Sequence, residues 1–173
     1  TTSDDRTVAR WRDEKVVTVY AGHLARVWDA IQIDAFVASA CEDSLVRLFC
    51  ASTGNLLHVL AGHTKDVRVL AAGINCIYSG GEDGNCLSWN LDLKNSKNSW
   101  KLPKSIRSVH LWETHVIAVS VCGVVFCDET VLLDTNAPHG VAKPSKEDIV
   151  TVSALGNNYL FLGYLSGSVG IVD

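Results

Sequence analysis

The sequence predicts an all-β chain built on an internal repeat of about 40 residues. An acidic turn residue stands six positions before an aromatic in three places: Asp5 before Trp11, Asp43 before Phe49 and Asp83 before Trp89. Gly22-His23 and Gly62-His63 lie 40 residues apart, and each His precedes its turn Asp by 20. Two independent markers therefore keep one register, and the runs between them are short, apolar or alternating, with no long helical period.

In chain order, Ser3 to Trp11 gives a turn and a strand, and the same pattern returns at Cys41 to Phe49 and Gly81 to Trp89. Phe36-Val37-Ala38-Ser39-Ala40, Leu56-Leu57-His58-Val59-Leu60 and Cys76-Ile77-Tyr78-Ser79 read as further strands bounded by turn residues. Four strand-like runs follow without a Gly-His or a Trp marker: Ser105 to Leu111, His115 to Val121, Val124 to Cys127 and Thr130 to Asp134. Ala137 to Lys146 reads as a loop, since it holds two of the three prolines. Ile149 to Val152, Tyr159 to Leu162 and Gly167 to Val172 close the chain as three strands, and Ser166 to Val172 keeps the six-residue offset.

With these markers the chain resembles the WD-repeat family, whose period and Gly-His opening it shares over residues 1–90. The resemblance implies a β-propeller, in which each repeat supplies one four-stranded antiparallel blade. It divides the chain into about three whole blades and two partial ones, with parts roughly at 1–21, 22–61, 62–103, 104–136 and 147–173. The chain contains no methionine, opens at the turn before a third strand and stops after a third strand. It therefore reads as an internal or C-terminal piece of a longer chain. The resemblance also implies a hydrogen-bonded network of Trp, Ser, His and Asp in each complete blade. By position, His63, Ser79, Asp83 and Trp89 match it in full, whereas His23, Ser39 and Asp43 are followed by Phe49, which lacks the indole donor. Ser, His and Asp are also the residue types of a nucleophilic triad, but their repetition in turn context points to structure.

Composition narrows the function. The formal net charge is −4, so no global basic field draws in nucleic acid, and contact with RNA needs a local patch or a partner. No run approaches the roughly 18 apolar residues of a membrane span, and the N-terminus is not a signal peptide, which places the chain in the cytoplasm or nucleus. The six cysteines form no C-x-x-C pair and read as buried free thiols. A metal site from His110, His115, Cys122 and Cys127 would have a spacing that matches no common zinc module. No cofactor, metal or small-molecule substrate is expected. No activated nucleophile, phosphate-binding glycine loop or paired carboxylates are in place, so the chain is expected not to be an enzyme.

A narrower resemblance rests on Gly22-His23-Leu24-Ala25-Arg26-Val27-Trp28-Asp29, with Ser39-Ala40-Cys41-Glu42-Asp43 and Ser79-Gly80-Gly81-Glu82-Asp83 behind it. This set is similar to the large WD-repeat proteins that accompany the FtsJ-like tRNA 2′-O-ribose methyltransferase. It implies a non-catalytic scaffold supporting methylation at the anticodon wobble position, with tRNA reached through the complex. The alternatives are a general WD-repeat interaction scaffold and a substrate receptor of a cullin-type ubiquitin ligase. Trp89-Asn90-Leu91-Asp92 lacks the Arg that often closes repeats of the last class. The family resemblance finally implies a partner-binding rim beside the innermost strand of each blade. Aligned repeats put Arg26 and Trp28, then Asp66 and Arg68, then Arg107 at equivalent places on it. Packing of Trp28 between blades, with the arginines as solvated charges, is the competing reading.

Overall fold

The computed structural model describes residues 1–91, 96–113, 115–122, 124–127, 130–133, 149–155, 160–166 and 168–172. Among them every regular element is a strand. β1 (Val8–Arg12) and β2 (Lys15–Tyr20) form a two-stranded sheet. β3 (Val27–Ile33), β4 (Phe36–Cys41), β5 (Leu45–Cys50) and β6 (Leu56–Ala61) form a four-stranded meander in chain order. β7 (Val67–Gly73), β8 (Cys76–Gly81), β9 (Asn85–Asn90) and β10 (Ser96–Lys101) repeat it. A third meander contains β11 (Ile106–Trp112), β12 (His115–Ser120), β13 (Val125–Cys127) and β14 (Thr130–Leu133). The last sheet is β15 (Val150–Leu155), β16 (Leu160–Tyr164) and β17 (Val169–Val172). All pairings among the described residues are antiparallel, in three four-stranded sheets, one of three strands and one of two. The loop expected over 137–146 lies outside the described residues.

The turn aspartates explain why the repeat keeps its register. The Asp5, Asp43 and Asp83 carboxylates each accept the amide two residues on, from Thr7 at 2.9 Å, Leu45 at 3.2 Å and Asn85 at 2.9 Å. Such a side-chain turn leaves the intervening residue left-handed, with φ of 69° at Arg6, 68° at Ser44 and 78° at Gly84. Gly84 is required for a second reason, because a Cβ there would stand 2.6 Å from the Leu102 carbonyl oxygen.

Adjacent sheets are joined by apolar layers, each drawn from two neighbours. Tyr20 of β2 packs edge-on against Phe49 of β5, with ring centroids 5.5 Å apart. Leu48 and Val46 meet Leu70, Ile77 and Trp89 across the next seam. Ile106, Val109 and Val116 meet Cys86 and Val69 across the third, and Val119 and Val125 meet Leu160 and Leu162 across the last. Burying one such aliphatic side chain contributes about 1.5–3 kcal/mol, so the seams hold the array together.

Trp11 keeps the register of Phe49 and Trp89 but is 53% exposed, against 0% for Phe49 and 2% for Trp89, and its indole N–H donates to the Thr1 hydroxyl at 3.1 Å. One expectation needs correction. Cys41, Cys50, Cys76, Cys86 and Cys122 form no disulfide, but of these only Cys41 and Cys86 are buried. Cys50 and Cys76 sit at sheet ends and Cys122 in a turn, where the packed layer thins.

Candidate functional site

One irregularity recurs at the start of each innermost strand and sets the geometry of the site. The pairing register skips between Val27 and Asp29, Val67 and Val69, Ile106 and Ser108, and Val150 and Val152. The skipped residues are Trp28, Arg68, Arg107 and Thr151, each second in its strand. A bulge re-aims the side chain it carries. All four line one cavity of about 570 Å³, together with Asp29, Val69, Glu82, Ser105, Ser108 and Ser153.

Three of the five rim residues expected from the alignment, Trp28, Arg68 and Arg107, are thus brought to one cavity. Arg26 and Asp66 stand beside it. The Arg26 guanidinium lies 4.7 Å and that of Arg68 3.7 Å from the Trp28 ring centre, a cation–π arrangement on a half-buried indole. Trp28 neither stands free on the rim nor simply packs between blades. Its indole N–H is buried without a hydrogen-bond partner.

Each of these arginines is also held by a group that the alignment did not single out. Arg26 forms a two-point pair with Asp4, at 2.7 and 3.0 Å. Arg68 pairs with Asp66 at 3.3 Å and with Glu82. Arg107 donates from Nε to the Thr151 carbonyl of the next sheet. Glu82 had a signal in sequence, since Glu42 and Glu82 hold the same place before their turn aspartates. Asp29 crosses the sheets differently, accepting the Leu70 amide at 2.8 Å. Burial raises its pKa, and that hydrogen bond acts against the rise.

The polar network lies away from this cavity. In the sheet of β7–β10, the His63 Nδ1–H donates to both Asp83 oxygens at 3.1 Å, and Nε2 accepts from the Ser79 hydroxyl at 2.8 Å. The carboxylate only accepts, which fixes this tautomer. The Trp89 indole donates to the same Ser79 oxygen at 2.7 Å, and the Thr64 amide to Asp83 at 2.9 Å. Burial would raise Asp83, but the Thr64 and Asn85 amides and His63 outweigh it and hold the carboxyl below its ordinary range. Burial lowers His63 despite Asp83. Ser, His and Asp stand here in triad order, yet Ser79 has no exposed surface and its oxygen is already shared with Trp89. No substrate can reach it.

In the sheet of β3–β6 the same positions are wired differently. His23 Nε2 accepts from Ser39 at 2.7 Å, but Nδ1–H donates to the Arg6 carbonyl at 3.0 Å. Asp43 instead holds the buried Arg47. Phe49 supplies no donor to Ser39, and packs its ring against His23 at 5.5 Å. The spacing predicts a shorter network here, but not this exchange of partners.

Of the residues weighed as metal ligands, His110 bonds Ser153 at 2.7 Å, and Cys122 lies 3.1 Å from the Ser120 oxygen. Among the described residues no three His, Cys, Asp or Glu side chains are grouped to hold a metal ion. No helix among them is long and apolar enough to cross a membrane.

The chain superposes over 98% of its length on 58% of the WD40 β-propeller domain of Doa1, with a TM-score of 0.81 at 16% identity. Its fold is that of a WD-repeat β-propeller. No protein-family model matches the chain. A "WD repeat-containing protein 26 homolog" of Arabidopsis thaliana is 33% identical over 97 residues, 51% of this chain and 16% of that protein. A human "F-box and WD repeat domain containing protein 10B" is 28% identical over 94 residues, 53% of this chain and 12% of that protein. The chain spans less than a fifth of the length of each of these two WD-repeat proteins.

Proposed function

We propose that this propeller segment is a non-catalytic docking scaffold that receives a protein partner at the cavity between the bulged residues Trp28, Arg68, Arg107 and Thr151. The observation that carries this reading is the fourfold bulge: the same irregularity in four consecutive sheets aims four side chains at one opening. An aromatic flanked by guanidinium groups is the residue combination enriched where protein partners bind tightly. The WD-repeat relatives agree with a scaffold.

For the partner's identity, the run Gly22 to Asp29 favours an FtsJ-like tRNA 2′-O-ribose methyltransferase, with the scaffold supporting wobble-position methylation in the cytoplasm and tRNA held through the complex. Affinity capture of the full-length protein from cells tests both levels. Recovery of the methyltransferase, lost with Arg68→Ala, supports the whole reading. Recovery of a cullin adaptor supports the ubiquitin-ligase alternative, and capture indifferent to Trp28 and Arg68 overturns docking at this cavity.

A further inference from the structure

We propose that the cavity receives a carboxylate side chain of the partner, with the Arg107 guanidinium as its receptor. This inference rests on the docking reading above and specifies the chemistry of what docks.

The charges around the opening are divided between its walls. Asp29 and Glu82 belong to the side formed by β3, β7 and β8, while Arg107 belongs to the side formed by β11 and β15. On the first side the charges are already matched or held: Arg68 by Asp66 and Glu82, and Asp29 by the Leu70 amide. Arg26, beside the opening, is matched by Asp4. On the second side Arg107 is exposed, and no carboxylate among the described residues pairs with it. Its Nε–H is committed to the Thr151 carbonyl, which fixes the plane of the guanidinium and leaves the two terminal nitrogens as a fork. Such a fork matches a carboxylate at two points.

The neighbouring polar groups can also donate. Ser108, Ser153 and His110 form a chain across the seam between β11 and β15. When His110 Nε2 carries the proton it donates to Ser153, Ser153 donates to Ser108, and the Ser108 O–H is left for a ligand. A carboxylate offers acceptors only, and one such group needs one cation. A nucleic-acid backbone would need a run of cations, which a chain of net charge −4 with Asp29 and Glu82 facing the opening does not supply. Those two carboxylates also repel a second acidic group on the opposite wall and so set the direction in which a partner segment lies.

The test uses the full-length protein and fluorescence anisotropy with labelled (Gly-Glu)₃, (Gly-Gln)₃ and a uridine dodecamer. The acidic peptide should bind about tenfold more tightly than its glutamine counterpart, as a charge-assisted hydrogen-bonded pair implies. Arg107→Gln should erase that difference, and Arg12→Gln on the remote two-stranded sheet should leave it unchanged. Arg107→Lys keeps the charge but not the fork and should fall between, and it carries the test if Arg107→Gln proves unstable. A difference that survives both Arg107 variants, or RNA that binds more tightly than the acidic peptide through Arg107, overturns the inference. Partner capture that still needs Arg68 while peptide binding ignores Arg107 overturns this inference alone. Capture indifferent to Trp28 and Arg68 overturns the docking reading beneath it.

Discussion

Arg47 holds Asp43 at two points, 3.0 Å from Nη1 to Oδ1 and 2.7 Å from Nη2 to Oδ2, and so takes from His23 the partner that His63 keeps in Asp83. The pair is nearly enclosed, with side chains 4% and 10% exposed. Removing one member of a buried pair strands the other's charge, so Arg47→Ala should cost about 3–5 kcal/mol. Replacing it with Leu, which stands at the equivalent position 87, together with Asp43→Asn should recover most of that loss, because no charge is then stranded. Urea unfolding of the three proteins checks this, and equal stability of Arg47→Ala and wild type refutes it.

Ser79 accepts from Trp89 and donates to His63, so it should be the most sensitive residue of the network of β7–β10. Ser79→Ala leaves the Trp89 N–H and His63 Nε2 buried without partners, while Asp83→Ala leaves His63 Nδ1–H and two backbone amides to find water. Each loss is worth about 1–3 kcal/mol. Ser39→Ala in the preceding blade deprives only His23 and should cost less. A larger loss for Ser39→Ala than for Ser79→Ala would contradict the wiring described.

Acid should weaken the fold in two stages. Burial lowers the pKa of His23, His63 and His110, so the unfolded chain binds protons that the folded chain refuses. Stability from these residues is complete above their ordinary value near 6.5 and is lost as pH falls through the lowered folded values. Asp43 and Asp83 are held below the carboxylate range, and their contribution is lost at still lower pH. Unfolding free energies at pH 8, 6.5 and 5.5 should fall in that order, and His63→Gln should flatten the slope. A rise in stability on acidification across this window contradicts the buried neutral imidazoles.

The repeat was legible in sequence because its markers are fixed by local chemistry. An Asp that closes its own turn and an aromatic that fills the seam must keep their spacing in every blade. The bulge residues were legible by alignment, though not as a shared cavity, since a skipped pairing leaves no mark in composition. Arg47 had a signal that went unused: it shares a strand face with Phe49, and a residue two places from a buried aromatic is itself buried. Asp4 was hidden because the partners of exposed charges depend on how neighbouring loops meet.

Thiol reactivity should separate the cysteines by place in the blade. Hydrogen bonds from Ser52 and then Thr53 bring Cys50 down to about 6, whereas burial pushes Cys86 up to about 12 and also raises Cys41. The thiolate is the nucleophile, so at pH 7 iodoacetamide should modify Cys50 first and Cys86 last. Peptide mass mapping over a time course reads the order. Ser52→Ala should slow Cys50 without changing Cys86, and modification of Cys86 ahead of Cys50 in the folded protein would contradict the burial described.

The rim is tested by removing its guanidinium groups together. Arg26 pairs with Asp4 through side chains 42% and 75% exposed, and Arg68 with Asp66 through side chains 31% and 23% exposed. Pairs so open to solvent contribute about 0–1 kcal/mol, so Arg26→Ala and Arg68→Ala should leave unfolding almost unchanged. Binding should respond more strongly, because both guanidinium groups cover Trp28 and their loss removes the charged flank of the indole. Each substitution should weaken partner association by about 1 kcal/mol or more, the range in which interface arginines stand out from neutral contacts. Shared contact with one ring also means that the two effects should not add: the first alanine already loosens the stack, and the second has less to remove. Titration calorimetry with the captured partner and the full-length protein measures both quantities. Unchanged affinity in the double variant would show that these arginines merely solvate the propeller's surface.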